Sequence, residues 1–356
     1  MKIFIRVDAS EKIGTGHVIR CLTLADELRK NLHEVIFISV QMPEYFISLI
    51  NKKGYSFNKQ ASTHMVGSVM DAFNILKFLQ SKYEISNEDC LIIDNYQIDH
   101  IWETVMKQSF GKIVVIDDLA NRQHVCDLLL DTNEYDSPEN RYEGLISIET
   151  KKLLGSRYSL LREEFLEVRN LMFENQISKR ILTNILICFG GSDPTNETMK
   201  VINALELLLD HYKELELTVI LGRANPNIKT IQEKCKGLKK VRCLIQPPSM
   251  ALEMSRAHIA VCGGGTMTWE RYCMGLPALV IAIAENQIGV AQHGEKNNID
   301  RYLGESKFVS EQIIRAELLD FLNSSRTSEE TRLKAMNLVD GQGVKRVTRM
   351  IMDNNI

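Results

Sequence analysis

The chain has 356 residues, 25% of them charged, and a formal net charge of −3. That length suits two domains. Lys and Arg are scattered rather than clustered, which argues against a nucleic-acid surface, and no apolar run is long enough to span a bilayer. The first residues form a short apolar segment broken by Arg6 and Asp8, so they read as a strand rather than a secretory leader, and a cytoplasmic location is expected. There are eight cysteines and no CxxC. Cys21, Cys90, Cys126, Cys188, Cys243, Cys262 and Cys273 sit among apolar residues, as small buried hydrophobes do. The histidines lack metal-ligand spacing, so no metal or other cofactor is expected.

In chain order, apolar patterning predicts strands over 2–7, 34–39, 90–94, 112–117 and 127–130. Helices over 18–30, 44–53, 68–81 and 98–108 alternate with them. A charged, irregular stretch, 133–180, holds one helix over 160–173. The rhythm then restarts near residue 181, with strands over 182–189, 216–221, 241–245, 258–262 and 278–283. Helices over 195–209, 227–236, 250–257, 266–274 and 287–298 lie between these strands. Two more, over 311–323 and 329–338, precede the turn Asp340-Gly341-Gln342-Gly343 and a last helix. A βαβ rhythm of this kind builds parallel sheets. The expected fold is α/β, with two Rossmann-like domains facing a cleft. One covers 1–180 and is joined by the last helix, 343–356; the other covers 181–342. Hinge motion is expected at about residue 180 and near the last helix.

In such sheets ligands sit at the carboxyl ends of the strands. Polar and glycine-rich segments cluster there. Behind the first strand, Ile13-Gly14-Thr15-Gly16-His17-Val18-Ile19-Arg20 opens an amphipathic helix. Unpaired N–H groups and the helix dipole make that turn attractive to an anion and disfavour imidazolium. His17 can then act as a neutral base. Gly14 and Gly16 can equally form a plain tight turn that His17 caps. In the second half, Gly190-Gly191-Ser192 and Gly263-Gly264-Gly265-Thr266 each follow a strand and offer backbone N–H groups to a diphosphate. Neither matches a P-loop or GxGxxG, which argues against ATP hydrolysis and dinucleotide redox chemistry. Glu270, one turn after Thr266, suits ribose hydroxyls, or is simply an exposed helix glutamate. Glu285-Asn286-Gln287 ends an apolar strand, and its amides suit a sugar; Asn286 also suits the cap of the next helix. Asp94-Asn95-Tyr96 and Asp117-Asp118 end strands of the first half. Adjacent strand residues point to opposite faces, so the Asp pair reads as hydrogen-bonding rather than metal-binding.

These segments resemble a known family. Arg6-Val7-Asp8-Ala9-Ser10 and the Ile13–Arg20 segment match the start of the UDP-sugar hydrolase of pseudaminic acid biosynthesis. So do Val115-Ile116-Asp117-Asp118-Leu119-Ala120, Cys126-Asp127-Leu128-Leu129-Leu130-Asp131 and the stretch from Leu154 to Arg162. Phe189-Gly190-Gly191-Ser192-Asp193-Pro194 and the Asp340–Gly343 turn complete the resemblance, which spans nearly the whole chain. It implies the two-domain, GT-B-like fold of many nucleotide-sugar glycosyltransferases. It also implies hydrolysis of a UDP-activated diacetamido-trideoxy-altropyranose. Diphosphate is a good leaving group, so direct attack of water with inversion is expected; nothing in the sequence calls for a metal or an obligate protein partner. By the same resemblance Ile245 to Met250 contact uracil, while Gly190, Gly191, Gly264, Gly265 and Thr266 hold the diphosphate. Glu270 takes the ribose, Asn286 and Gln287 the sugar. His17 is the base, with Gly14, Gly16, Arg20 and Tyr96 at the same site. Two alternatives stay open: a UDP-sugar-dependent glycosyltransferase on the same fold, and a non-catalytic UDP-sugar binding protein. For a lipid acceptor, the one modest apolar patch expected on the first domain is Gln41–Ile50.

Overall fold

The computed structural model describes residues 1–10, 15–60, 64–135, 138–174, 184–322 and 327–353. Two compact units emerge: Met1–Leu160 with Gln342–Ile356, and Leu161–Gly341.

The first unit runs β1 (Lys2–Val7), α1 (Gly16–Lys30), β2 (Glu34–Ser39), α2 (Glu44–Lys52), β3 (Ser56–Lys59) and α3 (Val69–Lys82). It continues with β4 (Cys90–Asp94), α4 (His100–Lys107), β5 (Lys112–Ile116), β6 (Leu128–Asp131) and β7 (Lys151–Leu154). The second unit comprises α5 (Glu163–Phe173), β8 (Asn184–Cys188), α6 (Glu197–His211), β9 (Glu216–Leu221), α7 (Ile228–Lys236), β10 (Val241–Ile245) and α8 (Met250–Arg256). It closes with β11 (Ile259–Cys262), α9 (Met267–Cys273), β12 (Ala278–Ala282), α10 (Ile288–Lys296), β13 (Arg301–Glu305), α11 (Glu311–Leu322) and α12 (Glu329–Leu338). The last helix, α13 (Gly343–Met352), returns to the first unit.

Both sheets are parallel through every pairing, in the orders β3-β2-β1-β4-β5-β6-β7 and β10-β9-β8-β11-β12-β13. Helices cover both faces, so the central strands are apolar on both sides. The period-two alternation divides each sheet between two cores. In the first unit Ile3, Ile5, Phe37 and Ile92 face α1 and α13, while Phe4, Ile36, Leu91 and Ile93 face Trp102 and the residues of α3. In the second, Leu186 and Ala260 meet α5 and α9, while Ile185 and Ile259 meet α6 and α11.

Three strands escape the apolar pattern: β3 (SFNK), β7 (KKLL) and β13 (RYLGE). All three are sheet edges. An edge strand is half solvated and needs no continuous apolar run. The boundary between units falls after Leu160, ahead of the expected residue 180. Leu161, Phe165 and Val168 bury their side chains in the second core, and Arg169 donates to the carbonyls of Cys273 and Val339. α13 is held in the first unit by Val344, Val347 and Ile351, and by Lys112 Nζ donating to Ile351 O and Asp353 O.

Candidate functional site

Each sheet reverses strand order once, and polar residues gather at both reversals. In the first unit β1 pairs with β4, Val7 against Asp94. From β1 the chain winds to one side, from β4 to the other, which makes their carboxyl ends the topological switch point.

His17 stands there in the first turn of α1, 7% exposed. Its Nδ1 lies 2.6 Å from Asp94 Oδ1 and 3.0 Å from Arg20 Nη2. Arg20, one turn along α1, donates to both oxygens of Asp94 at 2.6 Å and to Asp118 Oδ2 at 3.3 Å. Burial opposes charge on Asp94, but Arg20 and His17 outweigh it and hold the carboxyl well below the usual carboxylate range. Burial likewise opposes charge on Arg20, yet its two carboxylate partners keep it firmly protonated.

Tyr96 packs edge-on against His17, ring centroids 4.7 Å apart, and donates its hydroxyl to Asp118 Oδ1 at 2.6 Å. Burial and the Asp118 charge both push the phenol upward, so it stays a donor. Asp8 ends β1 and accepts from Arg6 Nη2, Ser39 Oγ, the Val40 N–H and Asn95 Nδ2 at 2.7–2.8 Å. Burial raises its pKa, but Arg6 and these bonds bring it below the ordinary value. Asp8, His17, Asp94, Asn95, Tyr96 and Gln97 line a cavity of about 30 Å³.

The Asp117-Asp118 pair splits as alternation requires. Asp118 faces Arg20 and Tyr96; Asp117 faces Arg122 at 2.7 Å and the hydroxyl of Tyr142. Tyr142 also donates to Asp131 at 2.9 Å. Burial, set against Arg141, leaves the Asp131 carboxyl pushed up to about 6. Among the described residues no group of three or more His, Cys, Asp or Glu side chains is placed to hold a metal ion.

In the second unit β8 pairs with β11, Cys188 against Cys262, at that sheet's reversal. Gly190 follows β8 with φ +80°, a left-handed conformation that favours glycine. The N–H groups of Glu197 and Thr198 at the start of α6 already donate to the Asp193 carboxylate, at 2.9 and 3.0 Å. After β11, Gln287 Oε1 accepts from the N–H groups of Gly264 at 3.0 Å and Ile283 at 3.1 Å. A Cβ at position 264 would lie 3.0 Å from Gln287 O, so this loop admits only glycine there without a shift. The N–H groups of Gly265, Thr266 and Met267 have no partner among the described residues. Glu270 follows on α9 and accepts from Arg162 Nη2 at 3.2 Å. Burial pushes its carboxyl above the ordinary value, and Arg162 counters in part.

The structure thus brings His17, Arg20 and Tyr96 together, with Gly16 as the first residue of α1; Gly14 lies outside the described residues. Gly190, Gly191, Gly264, Gly265, Thr266 and Glu270 all fall at or just after the switch-point strands of the second sheet. Ile245 is 38% exposed at the end of β10, whereas Met250 is a core side chain and offers only its backbone. Asn286 is exposed but does not cap α10, whose N-cap position is Gln287. Gln287, expected at the sugar, spends its carbonyl on the glycine loop, which also occupies the Gly264 N–H. In Gln41–Ile50 the apolar Met42, Phe46 and Ile50 are buried; among the described residues the exposed apolar side chains of the first unit include instead Met65, Val69, Met70, Phe73 and Ile101 on or before α3 and α4, besides Met1, Leu32, Val125 and Ile148. Sequence points Asp94 and Asp118 only to hydrogen bonding in general, and the structure gives them His17, Arg20 and Tyr96 as partners. Their signal was position, each at a strand's carboxyl end, but their partners needed the strand order.

Residues 185–345 match the family described as the glycosyltransferase family 28 C-terminal domain. The UDP-2,4-diacetamido-2,4,6-trideoxy-beta-L-altropyranose hydrolase of Campylobacter jejuni is 28% identical over 292 residues, covering 82% of this chain and 95% of its own length. The spore coat polysaccharide biosynthesis protein SpsG of Bacillus subtilis is 23% identical over 355 residues, covering 99% of this chain and 98% of its own. Among solved structures, Acinetobacter baumannii MurG superposes with a TM-score of 0.66 at 13% identity over 99% of both chains. No described helix is long and apolar enough to cross a membrane. The chain is a two-unit α/β protein of GT-B-like fold that resembles the altropyranose hydrolase over 82% of its length and the family 28 C-terminal domain over residues 185–345.

Proposed function

We propose that this protein is an enzyme of UDP-sugar metabolism, and specifically a metal-independent inverting hydrolase that splits UDP from a diacetamido-trideoxy-altropyranose. The observation that carries the reading is His17, buried at the switch point of the first sheet and lining a cavity of about 30 Å³. A space of that volume is large enough for a water molecule beside the His17 ring. His17 takes a proton from such a water as it attacks the anomeric carbon, and UDP departs from the opposite face. Diphosphate is a good leaving group, so the site must chiefly supply a positioned nucleophile, a base and charge stabilisation. The partnerless N–H groups of Gly265, Thr266 and Met267 in the second unit suit the diphosphate. Glu270 suits the ribose hydroxyls, and the exposed Asn286 amide the sugar. The name of the Campylobacter relative supports this substrate.

Proton NMR of the protein with the UDP-sugar, with EDTA and without any acceptor, tests the reading. Release of UDP and of free sugar, first as the inverted anomer, is expected. His17→Ala lowers kcat by about 10²–10⁴-fold and leaves UDP binding in place. Wild-type turnover in that variant would refute the assignment of His17. A transferase with an apolar acceptor is the second reading, favoured by the exposed Met65, Val69, Met70, Phe73 and Ile101. Turnover that begins only when a lipid-linked sugar is added would decide for it.

A further inference from the structure

The cluster behind His17 is more specific than a base needs merely to be present. Asp94 comes from the end of β4, 77 residues from His17 in the chain, and its side chain is fully buried. Arg20 meets it through Nε and Nη2, one to each carboxylate oxygen, at 2.6 Å. That fork–fork pairing leaves the carboxylate no freedom to turn. Arg20 is itself tethered by Asp118, whose other oxygen accepts from Tyr96. The Tyr96 ring, so held, stands edge-on to the imidazole at 85°.

Two facts fix the protons. With Arg20 keeping it ionised, the Asp94 carboxylate accepts and cannot donate. A contact of 2.6 Å between an anionic oxygen and a ring nitrogen is tolerable only if that nitrogen carries a hydrogen, and the longer 3.0 Å approach of Arg20 Nη2 to Nδ1 does not compete, because Nη2 already donates to Asp94 Oδ1 at 2.6 Å. Nδ1 is therefore the donor, and Nε2 is the nitrogen left for the cavity that His17 lines.

We propose that Asp94, clamped by Arg20, is a positioning residue that locks His17 in the Nδ1–H tautomer with Nε2 as the base facing the cavity. The carboxylate also stabilises the imidazolium as it forms, while the Arg20 pairing keeps Asp94 from taking the proton itself. The tautomer follows from the carboxylate contact and the Arg20 clamp, independently of the reaction; its catalytic consequence rests on the hydrolase reading above.

The test has two arms on the intact chain. The first is ¹⁵N-histidine NMR of the wild-type protein at a pH where the His17 ring is neutral, with His17→Ala to assign the signal. A protonated Nδ1 and a bare Nε2 are expected; the opposite tautomer overturns the inference, whatever the enzyme turns over. The second is Asp94→Asn, assayed with UDP-2,4-diacetamido-altropyranose. The amide can present its NH₂ to Nδ1 and favour the Nε2–H tautomer, so kcat should fall by about 10²–10⁴-fold with KM within about threefold, and the NMR signal should move to the Nε2–H pattern. An Asp94→Asn protein that binds UDP and turns over within about threefold of wild type overturns the proposal. If that variant does not fold, Arg20→Lys, which removes the fork but keeps the charge, should lower kcat by at least about tenfold, and undiminished kcat overturns the proposal. No turnover in the wild type together with the expected tautomer would sink the hydrolase reading and leave the positioning intact.

Discussion

Asp131 offers a quantitative check on the buried charge network beside the first-unit site. Its side chain is 1% exposed and accepts from Tyr142 and Arg141 at 2.9 and 3.1 Å, and burial pushes its carboxyl up to about 6 from the ordinary 3.8. The folded state thus holds this proton more tightly than the unfolded state. Stability from the protonated carboxyl is complete below pH 3.8 and is lost as pH rises through about 6. A gap of about two units corresponds to about 3 kcal/mol in all, of which about 2 kcal/mol falls between about pH 4 and pH 7. Asp131→Asn is neutral throughout. Relative to wild type its stability should rise by about 2 kcal/mol over that interval, on top of a constant offset from the lost carboxylate bonds. Groups common to both proteins cancel in the difference. The chain has two tryptophans, Trp102 in the first unit and Trp269 in the second, both buried. In a Trp269→Phe background, fluorescence-monitored urea unfolding follows Trp102 and hence the first unit. A stability difference that stays flat with pH, or falls as pH rises, would refute the burial argument.

Other expectations are more direct. Gln287→Ala frees the N–H groups of Gly264 and Ile283 and loosens the glycine loop; UDP affinity by calorimetry should fall about tenfold or more with thermal stability little changed, and unchanged affinity would mean the pin is dispensable. Gly264→Val must displace Gln287 and Val280; it should weaken UDP binding further than Gln287→Ala does in the same titration. Asp300→Ala strands the fully buried Arg271 guanidinium and removes the acceptor of Tyr272 and of the Ala278 N–H. That should cost about 3–5 kcal/mol, read as the early unfolding of Trp269 in urea. Trp102→Ala empties a fully buried site and leaves Asp71 without its indole donor; a loss of about 3–5 kcal/mol in the first unit is expected.

The sequence by itself determined what is local. Apolar period and loop residues placed twenty-two of the helices and strands within a few residues, from Lys2–Val7 to Glu329–Leu338. They also placed His17 at the start of α1 and the glycine loops after β8 and β11, because each of these depends on neighbours within a turn or two. Tertiary structure decided what depends on strand order and on packing between distant segments. Asp94 becomes the partner of His17 only because β4 lies beside β1, and Gln287 reaches Gly264 only because the turn after β12 folds back over the neighbouring β11. The polar edges β3, β7 and β13 were invisible because a half-solvated strand carries no apolar signature. α5 joined the second unit because Phe165 and Val168 found their burial there, a choice that no periodicity within the helix encodes.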